Sequence, residues 1–372
     1  MSPVRATPFH SRAADANAGN LWTARGGFTL AAAYSRTDAE AAAARVGVVM
    51  ADISWRWRVA FEGARARELV QRLFTRDPSG LQPGQALKAL WLSDGGGVRG
   101  AGVVARQGRQ SYLLVSAGQD ADWIADAAAR FGVAVRDVTE EEGGLAIAGP
   151  YAAKLVAALG LDPALELSAF RKEAWKNIDV TLSRFGELGG YELWCSAEDA
   201  PLVWDRIARA GAPFAILPAG LDAMDVLDIE AGVPRPGRDY DGATDPDATG
   251  PLAGELRLAR LIDADHAGFN GARAARAAKP RLGLAGLVID SSVPAPFTPV
   301  TAGGKTIGRT LSSRYSPLLR RAIALAQIEE ARAVPGTAVE VMLPASRLLP
   351  PTLAAARIVD LPFLPPPDPI AP

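Results

Sequence analysis

The chain has 372 residues, 49% apolar and 22% charged, which is enough for a substantial core in two or three domains. Forty basic against 41 acidic residues leave a formal net charge of −1 and exclude the basic field of a nucleic-acid binder. A single cysteine, Cys195, excludes an internal disulfide framework, and two histidines argue against a His/Cys zinc site. No run approaches the roughly 18 apolar residues of a membrane span. The expectation is a cytoplasmic monomer or small homo-oligomer that acts on a small molecule, without nucleic acid, membrane or metal.

Residues 1–20 have no apolar segment of the signal-peptide kind and read as an irregular start. Thr37–Arg45 reads as a helix capped by Thr37. Val46–Ile53 and Trp57–Phe61 read as strands, and Ala64–Phe74 as a helix. Asp77–Gly84 is a Pro- and Gly-rich loop. Two apolar strands, Ala86–Leu92 and Ala101–Ala105, then flank a hairpin through Gly95-Gly96-Gly97. Ser111–Ser116 is a further strand and Asp120–Phe131 a helix.

The same order recurs. Leu145–Ile147 is a strand leading into a helix that opens at Gly149-Pro150. Strands Asn177–Arg184 and Tyr191–Trp194 flank Gly186–Gly190, and helices follow at Ala200–Gly211 and Asp222–Ala231. Pro234–Gly254 is loop, and Arg260–Lys279 closes the unit with a loop and a helix. From Arg281 the pattern changes to short strands between Gly and Pro turns: Leu282–Ile289, Thr306–Thr310, Arg321–Gln327 and Ala338–Met342. The reading is α+β, with residues 1–279 as two α/β subdomains, 280–364 as a β-barrel and 365–372 as a Pro-rich tail.

Two glycine motifs are set aside. Gly303-Gly304-Lys305-Thr306 lacks the first glycine of a phosphate loop and has no helix after it. Gly95–Gly97 leads into a strand, which a dinucleotide site does not allow.

Around Asp52, alternation would place Trp55 and Trp57 on one face and Arg56 and Arg58 on the other. The tryptophans then either pack in the core or, with Trp91, form a wall for a flat ligand. Tyr34 and Tyr315 are candidate proton-transferring phenols, and His10 and His266 read as surface histidines.

Seven short motifs stand in order from about Thr7 to Leu364. They are Thr7-Pro8-Phe9-His10; Val46–Ser54 with its Asp52-Ile53-Ser54; Leu73-Phe74-Thr75-Arg76-Asp77; Ile147-Ala148-Gly149-Pro150; Phe185–Leu193; Ile229-Glu230-Ala231-Gly232; and Tyr315-Ser316-Pro317 with Ile323–Ala326. Together they resemble the aminomethyltransferase family, the T-protein of the glycine cleavage system and its tetrahydrofolate-dependent demethylase relatives. The resemblance implies a cloverleaf of three subdomains around a channel, the last a C-terminal β-barrel. It also implies tetrahydrofolate in that channel as acceptor of a one-carbon unit from an amine, a sulfonium or an aryl methyl ether.

Three departures stand against that pattern. The family's hairpin carries two aspartates, and these positions are Gly100 and Ala101 here, with Arg99 beside them. The hairpin is then a bare turn, or Arg99 binds an anionic group. The residue two before Glu-Ala-Gly is usually arginine in the family, and here it is Asp228. It is either a solvated helix acid or a partner for Arg99. The motif around Glu187, Tyr191 and Glu192 lacks its usual threonine. By resemblance its first glutamate meets the pterin, and Tyr191 stacks or caps there or packs in its strand. Candidate catalytic residues are thus Asp52, Asp228, Arg99 and Tyr191. Candidate binding residues are Glu187, Glu192, Trp55, Trp57, Trp91 and Tyr315.

The leading expectation is one-carbon removal from a small organic substrate, aromatic ones included, with tetrahydrofolate as acceptor. The alternatives are a cofactor-independent, formaldehyde-releasing lyase and a non-catalytic folate-binding subunit.

Overall fold

The structure, a computed structural model, describes residues 4–186, 190–242, 250–343 and 350–365. The chain forms two compact units, one of Met1–Leu90 and Ala101–Met224 and one of Trp91–Gly100 and Asp225–Pro365. Among the described residues no helix is long and apolar enough to cross a membrane.

The first unit is built on sheets. A six-stranded sheet runs Phe170–Trp175, Ile178–Ser183, Tyr191–Ser196, Glu142–Ala148, Val49–Asp52, Leu217–Pro218. Its core packs Leu145, Ile147 and Leu193 with Phe9, Tyr34 and Trp204. The rings of Phe9 and Tyr34 each lie 6.1 Å from Trp204. Trp204 comes from the helix Ala200–Gly211, which matches its expected bounds. Pro201 starts it, and Ala200, Val203, Trp204, Ile207 and Gly211 form its buried stripe. Burial of each such large side chain stabilises by about 1.5–3 kcal/mol. A second sheet orders Ala86–Leu92, Val98–Arg106, Ser111–Ser116, Trp57–Glu62 and Ala134–Asp137.

The helix Thr37–Val46 forms where expected but is capped differently. Its N-cap is Arg36, with no side-chain cap bond. Glu40 reaches back instead, accepting from the backbone N–H of Tyr34 at 2.8 Å and of Ser35 at 2.6 Å. Its second oxygen accepts from the Gly220 N–H at 2.8 Å, and the residue is fully buried. Glu40→Ala would strand two buried donors, the Tyr34 and Gly220 N–H groups, and one at the exposed Ser35, so a loss of about 3 kcal/mol is expected in denaturant unfolding, only partly restored by Glu40→Gln, whose amide offers one acceptor oxygen in place of two.

Cys195 lies in the same core, 2% exposed, with burial pushing its thiol pKa up to about 12. It should stay unreactive toward a disulfide reagent at neutral pH until the protein is unfolded. Fast modification of native protein would contradict its placement.

The second unit carries a closed barrel in the order Leu282–Ile289, Arg321–Glu329, Lys305–Ser316, Pro299–Ala302, Ala338–Leu343, Thr352–Val359. Thr352–Val359 closes it by pairing with both Leu282–Ile289 and Ala338–Leu343. Inside, alanines 324, 326, 354 and 356 alternate with Leu287, Ile328, Val341 and Ile358, the small–large mixture that fills a narrow barrel. Gly303 and Gly304, at φ 58° and 76°, form the tip between Pro299–Ala302 and Lys305–Ser316, so that glycine pair is a hairpin turn.

Candidate functional site

In the first unit the strand Val49–Asp52 ends in a turn organised by Asp52. Its Oδ1 accepts from the Ser54 N–H at 2.9 Å and its Oδ2 from the Thr7 hydroxyl at 2.6 Å. Ile53 accepts from the Arg56 N–H at 3.1 Å, and the Ser54 hydroxyl oxygen accepts from the Gly144 N–H at 3.1 Å. Burial raises the Asp52 pKa, against the hydrogen bonds of Thr7 and Ser54 and the field of His10. Asp52, expected as a catalytic group, thus has both oxygens engaged in holding the turn.

That turn breaks the alternation expected from Trp55 to Arg58, and the single tryptophan face does not form. Trp55 packs with Phe28, Leu30 and Leu221, under Arg25, whose Cζ lies 5.4 Å from the ring. Trp57 opens the next strand, 2% exposed, and donates from Nε1 to Asp137 at 2.9 Å. Both are core residues.

The arginines converge instead. Arg56 Nη1 lies 2.5 Å from Glu192 Oε1, and Glu192 is 1% exposed. Arg58 stacks on Trp194, its Cζ 3.9 Å from the ring, and its Nη2 lies 2.5 Å from Glu142 Oε2. Trp194 Nε1 in turn lies 3.4 Å from Glu192 Oε2. Burial lowers the Arg58 pKa, opposed by Glu142 and Glu192. Gly144 stands opposite Trp194 in the ladder, and any Cβ there would meet the indole. This cluster was not foreseen, because Arg56 and Glu192 lie 136 positions apart.

Glu192, expected to meet a flat ligand, is committed to Arg56, while Glu187 lies outside the described residues. Tyr191 is 5% exposed and donates to the Pro163 carbonyl at 2.7 Å. Burial raises its pKa, and the hydroxyl holds a loop. Tyr34 is also buried, and its phenol pKa is raised by burial, Asp52 and Glu40. Tyr315 is 49% exposed on a barrel strand.

In the second unit, the hairpin of Trp91–Gly100 is enclosed by backbone. The Ser93 N–H donates to the Gly97 carbonyl and the Val98 N–H to the Pro251 carbonyl, both at 2.9 Å, and Asn270 Nδ2 donates to the Leu92 carbonyl at 3.0 Å. Trp91 is 1% exposed, so it is core rather than an open wall. Its indole lies directly on Gly100, where a Cβ would fall inside the ring's van der Waals envelope. The space a side chain at Gly100 would need is therefore taken by tryptophan.

Asp228 is 7% exposed and not a solvated helix acid. Arg235 grips it bidentately, Nε to Oδ2 at 2.9 Å and Nη2 to Oδ1 at 2.6 Å. The structure therefore gives Asp228 a bidentate partner other than the expected Arg99. Arg238 lies 2.9 Å from Asp225, 2.7 Å from Asp239 and 3.6 Å from Asp228, and Arg314 adds a 3.2 Å contact to Asp225. Burial opposes the Arg238 charge, but Asp239, Asp228 and Asp225 outweigh it and raise its pKa. The network joins the helix Leu221–Glu230 to the loop after it and to the strand Lys305–Ser316.

Residues 9–252 match the GCVT N-terminal domain, and residues 283–364 the glycine cleavage T-protein C-terminal barrel domain. An aminomethyltransferase of Bacillus pumilus is 31% identical over 351 residues, covering 91% of this chain and 93% of that protein. One of Moorella thermoacetica is 31% identical over 372 residues, covering 98% of each. The crystal structure of glycine cleavage system aminomethyltransferase T from Bartonella henselae superposes with a TM-score of 0.85 at 22% identity, covering 98% of this chain and 99% of that one.

Proposed function

Because the chain belongs to the glycine cleavage T-protein family of aminomethyltransferases, whose members use tetrahydrofolate as a substrate, we propose that it moves a one-carbon unit from a small organic donor to tetrahydrofolate by a route that does not use the family's hairpin acid. The observation that carries this reading is Gly100 under the Trp91 indole. Neither Gly100 nor Ala101 holds a proton or a charge, so neither can assist attack by the accepting nitrogen. The change is packed rather than vacant, which favours a rebuilt site over a decayed one.

Tetrahydrofolate supplies the nitrogen that accepts the carbon. Glu192, a candidate binding residue of the Glu187 motif, is closed on Arg56 and does not fit contact with the pterin. By the resemblance, pterin recognition is the role of Glu187, which lies outside the described residues. The test supplies tetrahydrofolate with a methylamine, a methylsulfonium or an aryl methyl ether and reads one-carbon folate by mass. Folate product from at least one donor is expected. A hydroxymethyl donor, whose carbon is already at the formaldehyde level, is run beside them, and formaldehyde accumulating from it equally without tetrahydrofolate would establish the lyase instead.

A further inference from the structure

The outer face of the barrel, in the second unit, leaves an apolar strip in solvent. Along three of its strands Val300, Val341 and Ala354 point into the core, so their neighbours point outward. Met342 stands opposite Leu353, and the pairing of Val300 with Val341 sets Pro299 beside Met342. Met342 is 39% and Leu353 53% exposed. On its other side Pro299 stands opposite Arg309, whose Cζ lies 5.3 Å from the Phe297 ring. Phe297 is 50% exposed, and its φ of 59° is a left-handed conformation that an aromatic residue rarely takes. The backbone on either side is tied to the barrel. The Thr298 N–H donates to Thr310 Oγ1 at 2.9 Å, the Thr310 N–H to the Thr298 carbonyl at 2.8 Å, and the Ser313 hydroxyl to the Pro294 carbonyl at 2.5 Å. The ring is thus held out in water against both backbone preference and burial.

We propose that this strip is the contact face of a two-fold homodimer, with a second copy of this chain as its occupant. Charge selects that occupant. Among the described residues, Arg309 at one end of the strip has only the Phe297 ring as a side-chain partner. Glu340, partly exposed on the same outer face opposite Thr301 and Ala355, has no side-chain partner among them. The two stand two strands apart, roughly 10 Å. A face with one open cation, one open anion and apolar surface beside them is its own complement. Turned about a two-fold axis between the charges, each Arg309 meets Glu340 of the partner subunit, and the apolar side chains close around that axis. A purely acidic or purely basic partner would leave one of the two charges unmatched. The strip offers on the order of a few hundred Å² of apolar surface, against about 800 Å² per partner in a standard stable interface, so the dimer is weak. It is independent of the one-carbon chemistry.

Sedimentation equilibrium of the full-length chain, run up to about 500 μM, should show a monomer–dimer equilibrium with its midpoint near about 100 μM. Met342→Glu, at an exposed position, should raise the dissociation constant about tenfold or more. Arg309→Glu and Glu340→Arg should each weaken the dimer by roughly tenfold. The two together should restore it, because the same pairs re-form with their signs exchanged. These charge variants carry the test if Met342→Glu fails to fold. A chain that stays monomeric at about 500 μM, a dimer indifferent to Met342→Glu, or a double exchange no tighter than the single ones would overturn the interface.

Discussion

Arg238→Ala is expected to destabilise the protein by about 3–5 kcal/mol, among the largest effects of any single substitution. Arg238 is the common partner of Asp225, Asp228 and Asp239, of which Asp225 is 2% and Asp239 1% exposed. Its removal leaves Asp228 to Arg235 and Asp225 to Arg314, but among the described residues the Asp239 side chain keeps only the Arg235 N–H at 2.7 Å. A buried carboxylate so under-compensated is the costly outcome. Arg238→Lys retains the charge without the fork, so its loss should be smaller but clear. Because the chain has two units, the relevant readout is the transition of the second unit, followed by hydrogen exchange in 225–343. An Arg238→Ala protein with unchanged exchange there would contradict the network's role.

Gly100→Asp, which places an acid where the resemblance expects one, is expected to cost about 3–5 kcal/mol and to give no gain in one-carbon transfer. The new side chain cannot share space with the Trp91 indole, and Trp91 is 1% exposed with nowhere free to move. Gly100→Ala isolates the steric part and should already be harmful. Pairing it with Trp91→Leu tests the cause, because a direct clash makes the double variant more stable than the sum of the singles predicts. Strict additivity would mean that the two positions do not meet. A gain in activity for Gly100→Asp would mean that the site still depends on the family's acid.

Elements whose burial follows a simple period were legible from sequence. Ala200–Gly211 shows the helical stripe, and Ser111–Ser116 and Leu282–Ile289 are apolar runs between turns, so all three fall at their expected bounds. The strands Phe170–Trp175 and Thr352–Val359 escaped notice. The first reads FRKEAW, and its exposed charges mask it. The second turns inward only Ala354, Ala356 and Ile358, and alanine carries little strand signal.

The family was legible because its motifs are short local turns in fixed order. Long-range partners were not. Period-2 reasoning failed at Trp55 because Asp52 bends the chain before the next strand begins, a tertiary event supported by Thr7 and Gly144. Asp228 was visible as a departure, but Arg235 and Arg238 became its partners only once the loop after the helix had folded back. The reason for Gly100 was likewise hidden, since glycine there records what Trp91 occupies rather than what the turn requires.

The central claim is that this chain keeps the folate chemistry of its family while having closed the place of its acid. Calorimetric titration of tetrahydrofolate into the full-length protein tests it most directly. The account predicts saturable binding with a Kd below about 100 μM. An absence of binding heat, together with formaldehyde released from donors without folate, would contradict it.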